Sequence, residues 1–282
     1  MMLVNNNISP LPFYDDISKQ NHRKAYAFGN VYPLIVPKAL VPFQVVLPSG
    51  TAIDWVRLYN FNTGYYIDIG PSLIENGLRL KNIDNILILE YNALFPIKEL
   101  SQEGFHYLQI FIHDFGSIYS DVFSIVNDIS KYLCLQYTNS YNFKFKNGLV
   151  DFSDNFVFKC YLDTKIGRPE YSFEEEATER MGYSYIESQV SKKTYKFTFL
   201  APEYLCDALR IVRMCESRHI TVGNEEYEPI TFSINPEWQD QGDLASVECE
   251  FDTDNIIANI GGYIITSGST GDFNNDFNND FN

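Results

Sequence analysis

The sequence predicts a mainly β protein with two β-sandwich-like domains, the first immunoglobulin-like and the second carrying one packed α-helix. Three observations support this fold class. Short apolar runs alternate with turn residues along most of the 282-residue chain, which is the spacing of strands in sandwiches. The chain contains 20 Tyr and 22 Phe, and aromatic side chains favour strands. Its length suits two domains of ordinary size.

The first 42 residues are predicted to form an extended arm. Prolines at positions 10, 12, 33, 37 and 42 remove backbone donors and disfavour both helices and central strands. A solvated linker would not need the apolar and aromatic side chains between them, which are Phe13, Tyr14, Tyr26, Phe28, Tyr32, Leu34 and Ile35. We therefore expect the arm to lie against its own domain or against a neighbouring subunit.

Residues 43–129 are predicted to form the immunoglobulin-like sandwich. Apolar segments such as FQVVLP, IDWVRLYNF and ILILEY are separated by turn sequences such as PSG and NTG. The segment HYLQIFIHD alternates in character, and an aliphatic face usually points into the core of a sandwich. We therefore expect Leu108, Ile110 and Ile112 to be buried.

Residues 130–261 are predicted to form a β-rich domain with one helix near residues 202–217. Segments such as KYLCLQYTN, SKKTYKFTFL and PITFSINPEW have the pattern of strands. In the helix, Pro202 suits the first turn. Apolar residues follow at helical spacing, namely Leu205, Ala208, Leu209, Val212 and Cys215. The polar, glycine-containing segment 166–188 predicts a long loop or excursion.

Residues 262–282 are predicted to form a flexible tail. Its sequence repeats Asp-Phe-Asn-Asn with a period of four, and such low-complexity termini are usually poorly ordered. Two interpretations stay open: the spaced phenylalanines dock on a partner, or the tail has no role. The candidate assembly contacts of the arm and the tail are Phe13, Tyr14, Tyr26, Phe28, Tyr32, Phe273, Phe277 and Phe281.

The charge balance argues against nucleic acid and membrane partners. The chain carries 37 acidic and 21 basic residues, for a net charge of −16. An acidic surface repels phosphate groups, so we expect no direct nucleic-acid binding and no attraction to anionic lipid. No run approaches the roughly 18 apolar residues of a membrane helix, so no membrane insertion is expected. The N-terminus lacks the basic and apolar regions of a signal peptide.

The sequence contains no signature of catalysis, cofactor binding or metal binding. Its five cysteines are odd in number and form no CxxC pair, which indicates buried, reduced thiols. Nucleotide, metalloprotease and hydrolase motifs are missing from it. The adjacent His113 and Asp114 are expected on opposite faces of a strand. We therefore expect a protein that is not an enzyme and has no catalytic, cofactor or metal residues.

Three alternatives rest on individual residues. The acidic run from Glu170 to Glu179, with Asp163, suits either a calcium site or, more simply, a solvated face. A hydrolase needs two facing carboxylates, but among so many acidic residues Asp151, Asp154, Glu237 and Asp240 cannot be singled out. Glycan binding would use Trp55, Trp238 and tyrosines as stacking platforms, although tryptophans in β domains are more often core or interface residues.

Four segments resemble an uncharacterised family encoded in tail gene clusters of phages and prophages of gut Bacteroidales. They are residues 9–37, 119–137, 166–216 and 236–256, in the family's order, and the interior of the first domain matches less clearly. The resemblance implies a virion component at or near the tail tip or baseplate, with no catalytic residues to carry over.

With this resemblance, the sequence predicts a non-enzymatic structural protein that assembles through its arm and tail. Its partners would be other virion tail proteins and copies of itself, in a homo-oligomer. The protein would be made in the host bacterial cytoplasm and would reside in the virion tail. The alternative from a different class is a receptor- or glycan-binding adhesin domain, with a host surface glycan as its partner.

Overall fold

The computed structural model describes residues 8–20, 34–38, 40–92, 103–145, 148–180, 183–238 and 243–259. Its strands are β1 (Phe13–Tyr14), β2 (Leu34–Val36), β3 (Phe43–Leu47), β4 (Ile53–Asn60), β5 (Tyr66–Asp68), β6 (Leu78–Ile83), β7 (Ile86–Tyr91), β8 (Gly104–Ile112), β9 (Gly116–Ser120), β10 (Phe123–Ile125), β11 (Leu133–Thr138), β12 (Phe143–Phe145), β13 (Gly148–Val150), β14 (Phe158–Leu162), β15 (Glu170–Arg180), β16 (Tyr183–Pro202), β17 (Ser217–Val222), β18 (Glu225–Tyr227), β19 (Thr231–Trp238) and β20 (Leu244–Asn259). Short helices span Gly70–Glu75 and Glu203–Leu209, and 3₁₀ turns span Ile17–Lys19, Ser153–Asn155 and Val212–Met214. The predicted mainly β class is confirmed.

The strands form four sheets. The largest has eleven strands, ordered β1-β9-β8-β10-β2-β14-β11-β17-β18, with β4 paired to β8 and β5 paired to β4. Its parallel pair joins β2 to β10. The smaller sheets are β3-β7-β6, β12-β13 and β15-β16-β20-β19.

The largest sheet crosses the domain boundary predicted between residues 129 and 130. Strand β2 pairs on one side with β10 and on the other with β14, which lie before and after that boundary. The chain divides instead into one unit of Met1–Pro169 with Thr194–Thr253 and a second unit of Glu170–Lys193 with Asp254–Asn282. The predicted boundary was wrong at this point because local patterns do not encode which distant strands pair.

The described part of the arm belongs to the fold of its own chain. Strand β1 pairs with β9, and β2 lies inside the largest sheet. The side chains of Leu11, Phe13 and Val36 are fully buried. Of the two positions expected for the arm, these residues therefore take the first, against their own domain.

The predicted core faces are confirmed in β8 and in the helix Glu203–Leu209. Leu108, Ile110 and Ile112 are fully buried, as their alternation predicts. The predicted apolar stripe of the helix is also buried, at Leu205, Ala208, Leu209, Val212 and Cys215. The α-helix itself ends at Leu209, earlier than predicted, and the chain continues into the 3₁₀ turn Val212–Met214.

The prediction of a loop over residues 166–188 was wrong for most of that range. Strands β15 and β16 occupy it and pair with each other at one end of the sheet β15-β16-β20-β19. Every side chain from Glu170 to Ala177 is exposed. Because no face of β15 is buried, its sequence lacks the apolar alternation by which half-buried strands are recognised.

Candidate functional site

The paired strands from Glu170 to Lys193, here called the hairpin, form the most exposed part of the described structure. Strand β15 is an edge strand of its sheet. It carries two large aromatic side chains in solvent, Tyr171 at 65% and Phe173 at 72% exposure. An edge strand presents unpaired N–H and C=O groups, which are a template for pairing with another strand.

Side-chain contacts across the hairpin hold its two strands together. Lys192 Nζ lies 2.5 Å from Glu174 Oε1, and Gln189 Nε2 donates to Glu175 Oε1 at 2.8 Å. Ser188 Oγ donates to Glu176 Oε2 at 3.0 Å. Exposed contacts of this kind add little stability, and on its other side β16 pairs with β20 of the same sheet.

These contacts also bear on the two interpretations of the acidic run, a calcium site or a solvated face. Successive residues of a strand point to opposite faces, so Glu174 and Glu175 do not converge. Each of the glutamates at 174–176 bonds across the hairpin, to Lys192, Gln189 or Ser188. Within the described ranges, no group of three His, Cys, Asp or Glu side chains is placed to hold a metal ion.

A second surface lies on the outer face of β5, β4 and β8. Val56 and Leu58 of β4 point inward and are buried, so the alternate residues of this strand face outward. The turn after β4 is closed by Asn60 Oδ1, which accepts from the backbone N–H groups of Asn62 and Thr63. This turn brings Tyr66 of β5 opposite Tyr59 of β4.

Planar groups stand side by side on this face and form what we call the ring stack. The stacked pairs Trp55–Phe111 and Tyr59–Tyr107 have centroid distances of 5.2 and 5.1 Å. The Tyr59 and Tyr66 rings are also 5.1 Å apart. In order along the face, the members are Phe111, Trp55, Arg57, Tyr66, Tyr59 and Tyr107.

Arg57 occupies the middle of the ring stack. Its guanidinium carbon lies 4.1 Å from the Trp55 ring centre and 4.4 Å from that of Tyr66. Cation–π attraction to two rings restrains the guanidinium. Among the described residues no carboxylate lies within ion-pair distance of Arg57, although Asp68 stands opposite it in the β4–β5 register. The buried Nε of Arg57 has no hydrogen-bond partner.

The ring stack includes Trp55, one of the two tryptophans considered as glycan-stacking platforms. Trp55 has Phe111 and the Arg57 guanidinium against it, so its ring faces are taken by protein groups. Trp238, at the end of β19, is 48% exposed. Only the second of the two tryptophans therefore presents a large exposed surface.

A cluster of charged side chains lies where β6 and β7 meet the segment after β13. Its carboxylates Glu90 and Asp151 are fully buried. Arg79 donates to Glu90 Oε1 through Nε and Nη2, at 3.1 and 2.8 Å. Gln44 Nε2 donates to Glu90 Oε2 and to the Asp151 carbonyl, at 3.0 and 2.6 Å. Burial raises the pKa of Glu90, and the hydrogen bond from Arg79 offsets part of this effect.

Lys81 connects this cluster to Asp151 and Asp154, two of the four acidic residues considered for a hydrolase site. Its Nζ lies 2.5 Å from Asp151 Oδ2 and 2.8 Å from Asp154 Oδ2. Burial alone would raise the pKa of Asp151, but hydrogen bonds from Lys81 and Ser153 outweigh it and hold the pKa below its ordinary value. The arrangement is a set of satisfied ion pairs, which suits a structural role.

The histidines are placed separately in the described structure. His113 Nδ1 lies 3.1 Å from Asp54 Oδ2, and its Nε2 lies 3.7 Å from Asp114 Oδ1. The expectation that His113 and Asp114 point apart was wrong, because both residues lie in the turn after β8, where Asp114 has a φ of +62°. The hydrogen bond to Asp54 raises the pKa of His113 at this exposed site.

The five cysteines are free, buried thiols, as predicted. Burial raises the pKa of each of them, to about 11 for Cys206 and about 12 for Cys215. A thiol becomes a nucleophile only as the thiolate. These side chains are therefore inert in the folded protein at neutral pH.

The structure describes two of the eight predicted assembly contacts. Phe13 is fully buried and packs on Phe43 with ring centroids 4.7 Å apart, so its ring does not reach the surface. Tyr14 is half-buried, and burial, together with the nearby Asp121 charge, raises its pKa. The others lie outside the described residues: Tyr26, Phe28, Tyr32, Phe273, Phe277 and Phe281.

An open cleft of ≈ 420 Å³ lies in the first unit, lined in part by Ile35, Tyr161, Phe199 and Tyr204. Asp163 is its single charged lining residue. This lining lacks the convergent polar groups that mark most ligand sites.

Comparison with protein-family models found no match, and comparison with curated proteins found no relative. None of the helices in the described part of the chain has the length and apolar character to cross a membrane. The hairpin and the ring stack are the two surfaces of the described structure that are suited to binding a partner.

Proposed function

We propose that this protein is a non-enzymatic structural subunit of a bacteriophage tail tip or baseplate, which assembles with copies of itself or with neighbouring virion proteins. The observation that carries the assembly part is the exposed edge strand β15 of the hairpin. The viral part is supported by the resemblance of four sequence segments to a tail-associated family of phages.

Strand β15 of the hairpin has the properties of an edge strand that pairs with a strand of another protein chain. Folded proteins usually protect long edge strands with charged side chains, bulges, prolines or covering segments. Strand β15 has eleven residues and carries several glutamates, but it contains no proline and exposes Tyr171 and Phe173. Aromatic side chains are enriched at protein interfaces because they supply large contact areas at small entropy loss.

Light scattering on the purified full chain tests the assembly part. We expect a defined oligomer, and we expect the double variant Tyr171→Ser/Phe173→Ser to move the mass towards the 32.6 kDa of one chain. Because both side chains are exposed, the variant should keep its melting temperature. Ile74→Ser and Tyr141→Ser serve as matched controls, since they remove exposed apolar groups elsewhere.

Two results would count against assembly through the hairpin. One is an oligomer that the double variant leaves intact. The other is a control variant that dissociates the oligomer equally, since the effect would then not belong to the hairpin.

Mass spectrometry of purified particles tests the viral part. Particles released by a strain that carries the gene should contain the protein at a fixed ratio to other tail proteins. If the protein is absent from infectious particles, the proposed location is wrong whatever its oligomeric state.

Glycan binding is the second candidate function, and the exposed ring of Trp238 favours it. A sugar ring stacks on an aromatic face that is open to solvent, as this one is. A glycan array probed with the full chain and with Trp238→Ala tests it. Binding by neither protein would exclude this role for Trp238.

A further inference from the structure

Arg57 presents hydrogen-bond donors that the described protein does not use. The guanidinium lies against the Trp55 and Tyr66 rings. No described carboxylate forms an ion pair with it, not even Asp68, which stands opposite Arg57 in the β4–β5 register. Ordinary surface arginines sample many rotamers, whereas two flanking rings hold this one in place. An arginine that is held in place and has unused N–H groups can donate hydrogen bonds to a ligand from outside the fold.

The geometry specifies what that acceptor should be. With two rings packed against the guanidinium, we expect a ligand to approach in the guanidinium plane. A carboxylate approaching in this way accepts two parallel hydrogen bonds, which is the strongest and most directional pairing that arginine makes. Beside it, the Tyr66 ring is 44% exposed and offers apolar surface to a neighbouring group. The surface therefore fits a carboxylate next to an aromatic or apolar side chain.

The C-terminal repeat of this chain has that chemistry three times. Asp-Phe pairs occur at 272–273, 276–277 and 280–281, separated by asparagines. We propose that an Asp-Phe pair of the C-terminal repeat of a second copy of this chain binds at Arg57, with its carboxylate on the guanidinium and its phenyl ring against Tyr66.

The assignment to a second copy follows from the number of motifs. Each chain has one Arg57 and, in its C-terminal repeat, three Asp-Phe pairs. A repeated motif raises the effective concentration of ligand at a single site and lets one tail engage more than one subunit. This contact is separate from the hairpin, so its test and the test of the hairpin can fail independently.

Fluorescence anisotropy with a labelled synthetic peptide of residues 268–282 tests the contact. The receptor is the full chain carrying Asp272→Asn, Asp276→Asn and Asp280→Asn, which removes competing carboxylates and keeps the length. We expect saturable binding that weakens at least about tenfold when Arg57→Gln is added, since a bidentate charge-assisted pair is lost. Arg57→Lys should also bind more weakly, because it keeps the charge and loses the planar fork.

The controls separate this contact from general attraction. Adding Arg168→Gln to the receptor removes the same charge at an exposed site elsewhere and should leave binding unchanged. A peptide with asparagine in place of its three aspartates should not bind. If the peptide fails to bind the receptor, or binds the Arg57→Gln receptor equally well, the proposal is overturned. The melting temperatures of all receptors are compared to exclude unfolding.

Sedimentation velocity of the natural full chain tests the second copy. We expect a mass that rises with concentration, and a rise that Arg57→Gln reduces. If the peptide binds at Arg57 but the full chain sediments as one chain at every concentration, the assignment to a second copy is overturned. Because Tyr171→Ser/Phe173→Ser leaves Arg57 intact, peptide binding should survive in that variant.

Discussion

Lys81 contacts two carboxylates whose surroundings differ, and the difference separates a buried ion pair from an exposed one. The Asp151 side chain is 0% exposed, whereas that of Asp154 is 57% exposed. Both accept from the same ammonium group at similar distances. Asp151 also accepts hydrogen bonds from the backbone N–H and the Oγ of Ser153, so burial and these bonds together distinguish it from Asp154.

We expect Asp151→Ala to lower the free energy of unfolding by about 3 kcal/mol, because removing one partner of a buried pair leaves the other charge uncompensated. Asp154→Ala should have a much smaller effect, since water replaces an exposed carboxylate. Urea denaturation of both variants measures the difference. Equal losses would mean that Lys81 is effectively solvated and that the cluster does not act as a buried one.

The same cluster predicts how stability depends on pH. The pKa of Asp151 is lower in the folded protein than its ordinary value, so its contribution is present above the ordinary pKa and is lost as pH falls through the folded pKa. Glu90 has the opposite sign, because burial raises its pKa and its contribution is lost as pH rises. The stability difference between the natural protein and Asp151→Asn should therefore shrink in acid.

Arg57 shows how far single residues could be read from the sequence. The sequence predicts a strand over IDWVRLYNF, and in the structure its Val56 and Leu58 face the core. Strand alternation then puts Trp55 and Arg57 on the outer face, but it does not show that Tyr66 comes over Arg57. That neighbour is set by the register of β5, which pairs Leu58 with Ile67 and Tyr59 with Tyr66.

Strand β2 is the element on which the arm's role depends. It consists of three residues, and both of its edges are paired, with β10 and with β14. Prolines around it correctly indicated an extended chain, but the sequence left open whether that chain would lie on its own domain. The parallel pairing of β2 with β10 joins residues 34–36 to residues 123–125, and no local pattern encodes such a distant contact.

Deletion of residues 1–42 should therefore unfold the protein instead of merely dissociating an oligomer. The deletion removes a central strand and the buried side chains of Leu11, Phe13 and Val36, and it leaves β10 and β14 with unpaired edges. Circular dichroism should show the loss of a cooperative thermal transition.

Deletion of residues 262–282 is the matched control, since these residues have the composition of a flexible tail and the deletion should keep the transition. A deletion of 1–42 that still folds would mean that the arm only rests on the sheet. Mass measurements on that variant would then become informative about assembly.

The hairpin shows the opposite kind of error in sequence interpretation. Its sequence was interpreted as a loop because strand recognition relies on one buried face, and β15 has none between Glu170 and Ala177. Glutamate is also uncommon in strands. Strand β15 therefore exposes Tyr171 and Phe173 instead of burying them in its own chain. The proposed assembly would bury these two side chains against a partner.

The eleven-stranded sheet determines how the first unit unfolds, because it joins segments from both sides of the predicted boundary between residues 129 and 130. Strand β11 pairs with both β14 and β17, and Leu133 lies opposite Val222. Two separate domains would unfold independently, whereas one sheet with a common core should unfold in a single step. The first unit is therefore expected to behave as one cooperative unit.

Two probes placed on either side of that boundary test this expectation. In a Trp238→Phe variant, the fluorescence of Trp55 reports on β4, and alkylation of Cys160 reports on β14, where this thiol is fully buried. The two signals should change at the same urea concentration, because opening either half of the sheet exposes the core of the other. If Cys160 reacts at a urea concentration where Trp55 fluorescence is still native, the sheet separates near residue 130 and the sequence boundary marks an energetic division within it.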